Sequence, residues 1–260
     1  MKSVVALILG FVKDGVLSVQ NFTLLSLRAI RNLATPPRYF GDTLQQMDTI
    51  GVGSLPIIIL TGFFIGAVLV LQMSRTLQTF GEVALTGQMV SVSLVREIGP
   101  VLTALMVAGR NASGIASELG SMVVSEQIDA MRALGTDPTR KLVTPRMLAT
   151  VAMLPLLTIV ADFIGLFGGF FVSFWVVHMN PAQYWSSAYQ ALEYSDLFQG
   201  LLKPVIFGFI VSLVGCYYGL STRGGTQGVG RSTTQAVVAS SVLVLVVDFF
   251  VTKILLAVID

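Results

Sequence analysis

The sequence predicts an all-α membrane protein: an N-terminal interfacial amphipathic helix, five transmembrane helices, and a short extramembrane helix between the second and third spans. Three observations carry that class. Hydrophobic residues fill 54% of the 260 positions and charged residues only 12%, against about 25% charged in soluble domains. Mean hydropathy is +0.81. Apolar runs approaching the roughly 20 residues a bilayer-spanning helix needs recur along the chain. No repeat, linker or low-complexity segment divides it, so one domain is expected over 1-260, with the interfacial helix in 1-38 and the bundle in 52-259. The net charge of +2 is too small and dispersed for a nucleic-acid surface, and the single cysteine, Cys216, excludes an intrachain disulfide.

The arm comes first. MKSVVALILGFVK has the charged start and short apolar core of a secretory signal, but it lacks a small-residue cleavage site and runs into Lys13 and Asp14. At 100° per residue, Lys2, Lys13, Asp14, Gln20, Asn21, Arg28, Arg31 and Asn32 share one arc, with Val4, Ile8, Phe11, Val12, Val19, Phe22, Ile30 and Leu33 opposite. That pattern predicts a helix lying in the membrane interface. The alternative, a sixth span, would carry Lys13 and Asp14 to mid-membrane. Thr35-Pro36-Pro37 ends the arm, because proline cannot continue the hydrogen-bond ladder.

Hydropathy places the spans at Val52 to Met73, Gln88 to Arg110, Met147 to Val177, Leu201 to Thr222 and Ala236 to Ile259. One flank would carry Lys2, Lys13, Arg28, Arg31, Arg38, Arg110, Arg132, Arg140, Lys141, Arg146, Arg223 and Arg231; the other keeps Arg75, Lys203 and Lys253. Twelve against three predicts a cytoplasmic N-terminus and an external C-terminus.

The second span holds SLVREIGP. Charged side chains at the bilayer centre cost roughly 2.5–3.5 kcal/mol each on insertion scales, so Arg96 and Glu97 cannot face lipid. Neighbours in sequence point about 100° apart on a helix and pair poorly with each other. Each therefore needs a separate partner or a wet cavity. Asp162 and Asp248 are the acids deep in other spans, so two readings stand: a salt bridge from Arg96 to one of them, or a polar-lined substrate cavity. Pro100 adds a kink that frees nearby carbonyls.

After this span, Gly109, Ser113, Ser117 and Ser121 recur every four residues, as do Ala108, Ala112, Ala116 and Gly120. Such stripes let helix backbones approach closely, within the chain or against a second copy. SEQIDAMRALGTDP then reads as a short amphipathic helix. Ser125 caps it, Glu126 and Asp129 suit its positive end, Arg132 suits its negative end, and Gly135 with Pro138 stops it. Ile128, Met131 and Leu134 line one side at three-residue steps. So short a helix is marginal alone and must dock, on the bundle, the membrane surface or a cytoplasmic partner.

Catalytic chemistry is thin. His178 is the one histidine and Cys216 the one cysteine, too few for a His/Cys metal cluster, and no Ser/His/Asp or Cys/His set is recognisable in the sequence. GTQGVGRS, Gly225 to Ser232, has phosphate-loop spacing with arginine in place of lysine, but it follows a membrane span and reads as a glycine-rich turn. Any ATP that drives the protein binds another chain.

The block from Ser93 to Pro138, SLVREIGPVLTALMVAGRNASGIASELGSMVVSEQIDAMRALGTDP, resembles the signature region of the MlaE (YrbE) permease family, the membrane subunits of lipid-transporting ABC systems that work with MCE proteins. GFFIGAVLVLQ in the first span, the Pro155 region, and RSTTQAVVASS with DFF behind it extend the likeness over nearly the whole chain. The resemblance implies a bacterial inner-membrane permease moving phospholipid or a similar lipid, with a second copy of itself at the centre. A cytoplasmic ABC ATPase would hold the ATP and Mg, a periplasmic ring of MCE-domain proteins would sit outside, and a STAS-domain protein joins in some systems. It implies that Glu126, Ile128, Asp129, Met131, Arg132 and Leu134 form the ATPase-coupling helix. Arg96 and Glu97 would line a lipid cavity between the copies, and Leu69, Gln72, Thr76, Leu77 and Phe80 its outer part. Two other classes stand beside this one. A membrane-embedded lipid enzyme needs clustered acids, which are scattered here, and an ion-driven secondary transporter needs inverted repeats, which are not visible.

Overall fold

A computed structural model of the chain describes residues 2–37 and 39–259, and every regular element among them is helical. We number them α1 (Lys2–Ala34), α2 (Phe40–Thr79), α3 (Val83–Val124), α4 (Gln127–Ala133), α5 (Thr139–Trp175), α6 (Pro181–Gln190), α7 (Tyr194–Leu220) and α8 (Gly225–Ile259). Five of these, α2, α3, α5, α7 and α8, are long and apolar enough to cross a membrane.

Most of the spans overrun the hydropathy boundaries. α3 continues from Arg110 to Val124, and α2 begins at Phe40 rather than Val52. Hydropathy detects the part that bilayer thickness requires, whereas the polar-flanked extensions are helical because they pack on one another. Arg110 shows how. It sits in a wide, π-helical turn, Ala108–Ala112, and donates from Nη1 to Thr49 O (3.1 Å) and Ser54 Oγ (2.9 Å), beside a matching wide turn at Asp48–Val52.

Small residues set the packing. On α2, a Cβ added at Gly66 would lie 1.7 Å from Gly165 O, and one at Gly168 of α5 would lie 2.2 Å from Phe63 O. The two backbones therefore touch along Gly62, Gly66, Gly165 and Gly168. One of the two stripes on α3 behaves likewise within the chain: Ala108, Ala112 and Ala116 are fully buried, and Gly215 and Gly219 of α7 approach Ala112 and Ala116. The other stripe, Gly109 through Ser121, is exposed or half-buried.

α1 has three faces rather than the two expected. Phe22, Leu25, Ala29 and Leu33 pack on a cluster containing Ile115, Leu119, Met147 and Cys216. Val16, Val19 and Ile30 remain exposed on another side, and Arg28 and Arg31 on a third. Asn32, assigned to the polar arc, is in fact buried at 6% exposure, because α1 docks on the start of α5. The side chains of Lys2, Val4, Ile8, Phe11, Val12 and Asp14, and all of Arg38, lie outside the described residues.

Two corrections concern connections. GTQGVGRS is not a turn but the start of α8; the reversal is made by residues 221–224, with Gly224 at φ +90°. The third-to-fourth connection carries an unexpected helix, α6, started by Asn180, whose side chain accepts the Ala182 N–H at 2.9 Å, with Pro181 in the first turn. α6 caps the end of the bundle opposite α4. Ser91 Oγ donates to Ala188 O (3.0 Å), and the fully buried Tyr184 donates to Leu166 O (3.2 Å). Burial pushes the Tyr184 hydroxyl pKa upward.

Candidate functional site

Arg96 and Glu97 lie in a wide turn of α3, Leu94–Ile98, directly before Pro100. Proline has no N–H for the carbonyl one turn back, so the Arg96 carbonyl is released from the helix ladder. Lys203 of α7 fills the vacancy, its Nζ donating to Arg96 O at 3.1 Å. The kink expected from Pro100 thus takes the form of a widened turn, the feature often found where a helix serves function.

The two charges take separate partners. Arg96 Nε donates to Asp196 Oδ1, forming a salt bridge with a side chain that is 0% exposed. Asp196 Oδ2 accepts the Glu193 N–H (3.0 Å), so the same carboxylate closes the capping box that starts α7. Glu97 Oε2 pairs with Lys203 Nζ at 2.5 Å, and Lys203, also 0% exposed, reaches Asp248 Oδ1 of α8 at 3.4 Å. Thr252 Oγ1 lies 3.4 Å from both Glu97 oxygens.

Of the two readings of this pair, the salt bridge from Arg96 to Asp162 or Asp248 is therefore corrected: its partner is Asp196. Asp248 serves Lys203 instead. Asp162 lies over the α3 backbone at Gly99, where an added Cβ would be 1.8 Å from its Oδ1, and that oxygen is buried without a hydrogen-bond partner among the described residues. Lys203 also leaves the external flank to which the charge tally assigned it. It sits at the centre of the cluster, three residues inside the apolar run of α7 where hydropathy reads only a boundary. Lys203 followed by Pro204 within that run was the available signal; Asp196, about 100 positions from Arg96, left none.

Exposure divides the pairs by helix. The α7 members, Asp196 and Lys203, are sealed, while the α3 members keep part of their surface open, 32% for Arg96 and 41% for Glu97. α7 anchors the charges and α3 presents them.

The other assigned lining residues form a separate group on the last turns of α2 and at Phe80, which flanks its end. Leu69 and Leu77 are half-buried, Gln72 and Thr76 exposed, and Phe80 is 75% exposed. Leu69 packs with Val70, Val90 and Tyr184. No hydrogen bond or ion pair among the described residues joins this group to Arg96 or Glu97.

α4 begins one residue later than expected. Glu126, at φ +61°, is its first flanking residue, while Ser125 Oγ turns back to Ser121 O (2.8 Å) instead of capping. Its far end follows the expected stop. Gly135 at φ +76° lets Thr136 N–H reach Met131 O (3.0 Å) and its own N–H reach Arg132 O (3.0 Å), a Schellman ending. Ile128 is buried and Met131 half-buried against Leu119 and Met147, but Leu134 is 84% exposed. Steps of three residues drift 60° per step around a helix, so the third apolar side chain leaves the packed face. Glu126, Asp129 and Arg132 are exposed with it, Arg132 Nη1 donating to Asp129 Oδ1 at 2.8 Å.

Comparison with known proteins points one way. Residues 43–254 match the family model described as Permease MlaE. A probable ABC transporter permease protein of Rickettsia bellii is 42% identical over 91% of each chain. One from Synechocystis is 41% identical over 80% of each, and the intermembrane phospholipid transport system permease protein MlaE of Haemophilus influenzae is 36% identical over 84% of each. A match spanning α2 to α8, including the charged turn of α3 and the α4 segment, identifies this chain as a member of the MlaE permease family.

Proposed function

We propose that this chain is the membrane-spanning permease subunit of an ABC transporter, moving phospholipid or a similar lipid between the bacterial inner membrane and a periplasmic MCE protein. The observation that carries the reading is the division of the charged cluster, with sealed counter-ions on α7 and partly open Arg96 and Glu97 on α3. A guanidinium already balanced by a buried carboxylate can meet a lipid phosphate without being stranded when the lipid leaves. That suits cargo that must be bound and released.

In this reading two copies face each other and close a cavity over Arg96 and Glu97, with Leu69, Gln72, Thr76, Leu77 and Phe80 lining its outer part. A cytoplasmic ATPase, holding ATP and Mg, docks on the exposed side of α4 at Glu126, Asp129, Arg132 and Leu134. Ile128 and Met131, wedged against α3 and α5, pass its closure to the bundle and squeeze the cavity. The Lys and Arg bias supports a cytoplasmic N-terminus and a periplasmic C-terminus. A STAS-domain protein is a further candidate partner.

Gentle affinity purification of the full chain from its native membrane, followed by native mass spectrometry, tests this. The expected result is a complex with two copies of this chain, an ATPase, an MCE protein and bound lipid. Recovery of the chain with neither an ATPase nor lipid would overturn it. Reconstituted transfer between vesicles then separates the roles: Glu97→Gln should slow lipid transfer while ATP hydrolysis continues.

A further inference from the structure

At the end of the bundle that carries α4, the close of α1 and the starts of α2 and α5 enclose a cavity of about 280 Å³, lined by Asn32, Leu33, Tyr39, Phe40, Arg140 and Pro145 among others. Its threonines are satisfied: Thr43 donates to Tyr39 O, and Thr144 donates to Ala29 O and Thr139 O. Two donors are not. Arg140 donates through Nη1 to Pro36 O (2.7 Å) and through Nη2 to Thr35 Oγ1 (3.1 Å) and Asn32 Oδ1 (3.5 Å), which leaves Nε buried without an acceptor. Asn32, 6% exposed, spends its oxygen on Arg140 and keeps Nδ2 without an acceptor.

Charge points the same way. No carboxylate among the described residues pairs with Arg140. Asp42, on the first turn of α2, is taken by Lys141 at 2.5 Å, and that ammonium also lies 4.4 Å from the centre of the Tyr39 ring. Buried donors without acceptors are rare enough in folded proteins to need an explanation, and a guanidinium with neutral acceptors but no carboxylate calls for an anionic oxygen. The surroundings are those of a membrane headgroup region. Phe40, Leu44 and Leu148, within the first three turns of two spans, are 65%, 67% and 37% exposed. The volume lies just below the small end of ligand pockets, about 300–1,000 Å³. That is room for a phosphate and glycerol, with acyl chains left to run over those apolar side chains.

We infer that this cavity holds the phosphate headgroup of one anionic membrane lipid, with Arg140 and Asn32 as its donors. The site lies at the opposite end of the bundle from the cluster around Lys203, and it depends on the chain's being a membrane protein, not on what the chain transports. Because α5 starts six residues after α4 ends, a lipid seated there ties the base of the short helix to α1 and α2.

The test uses the full chain, purified and delipidated in detergent. It is titrated with short-chain phosphatidylglycerol, the matching phosphatidylcholine, and inorganic phosphate, with binding followed by native mass spectrometry and thermal melting. One phosphatidylglycerol per chain should be retained and should raise the melting temperature, with phosphatidylcholine and inorganic phosphate each binding at least about ten-fold more weakly. Arg140→Gln should weaken phosphatidylglycerol binding about ten-fold or more. Thr43→Trp, which fills the cavity while leaving Arg140 in place, should abolish that binding with helical content unchanged, and it decides the matter if Arg140→Gln does not fold. Equal retention of the two lipids, unchanged binding in Thr43→Trp, or saturation by inorganic phosphate at the lipid's own concentration would overturn the assignment, the last by making this a soluble-anion site.

Discussion

Lys203→Met removes the cation at the centre of the cluster while preserving the length of its apolar stem. In the native chain Nζ is fully buried, 2.5 Å from Glu97, 3.4 Å from Asp248 and 3.1 Å from the carbonyl that Pro100 leaves open. Methionine replaces none of these contacts, so two carboxylates face each other and a carbonyl loses its donor. Breaking a buried ion pair costs about 3–5 kcal/mol, and a stranded carbonyl about 1–3 kcal/mol more. Glu97 is 41% exposed and regains some hydration, which favours a total at the low end, about 4 kcal/mol. At about 2–4 °C per kcal/mol for a chain of this size, melting should fall by roughly 8–16 °C, readable by fluorescence-detected size exclusion in detergent. Lys203→Met/Glu97→Gln/Asp248→Asn should recover most of the loss, because neutral groups replace the whole buried triad, while lipid transfer stays impaired. A single variant that melts within about 1 °C of wild type, or a triple variant no better than the single, would refute the reasoning.

Other expectations follow from the same geometry. Gly66→Val places a Cβ 1.7 Å from Gly165 O and should abolish folded protein on size exclusion, whereas Gly109→Ala, with nothing within 4 Å, should melt at or slightly above the wild-type temperature. Ile128→Ala should cost about 2–4 kcal/mol of local stability and appear as faster hydrogen exchange across residues 127–133. Leu134→Asp, at an 84% exposed position, should leave melting unchanged and reduce the lipid-dependent ATPase rate of the reconstituted complex. Gly135→Ala forces a side chain onto φ +76° and should cost about 1 kcal/mol, seen as fraying at the end of α4 by the same exchange measurement.

What could be read from sequence was what depends on local pattern. The five spans, the stop at Gly135 and the break at Thr35-Pro36-Pro37 rest on composition and backbone chemistry within a few residues. So did the argument that Arg96 and Glu97 need separate partners, which follows from helix angles alone. The partners themselves were not legible, because Arg96 meets Asp196 and Glu97 meets Lys203 across about 100 intervening residues, and a single sequence carries no record of such pairs. Hydropathy also misled about Lys203. A long alkyl stem at the margin of an apolar run reads as a flank whether its ammonium reaches solvent or turns inward. α6 does carry a local cue, Asn180 before Pro181, a cap and a first helical residue in the preferred order.

The contact of α2 with α5 has a mechanical consequence. With carbonyls resting where side chains would stand at Gly66 and Gly168, a slide along the helix axes would bring neighbouring side chains against the opposing backbone. The pair is a stiff beam, unable to shear by small increments. The stretch where α3 meets α7 and α8 through Glu97, Lys203 and Asp248 is held differently, by ion pairs whose strength depends on how much water is admitted. Strain reaching the bundle would therefore be resisted along α2 and α5 and taken up first at those ion pairs.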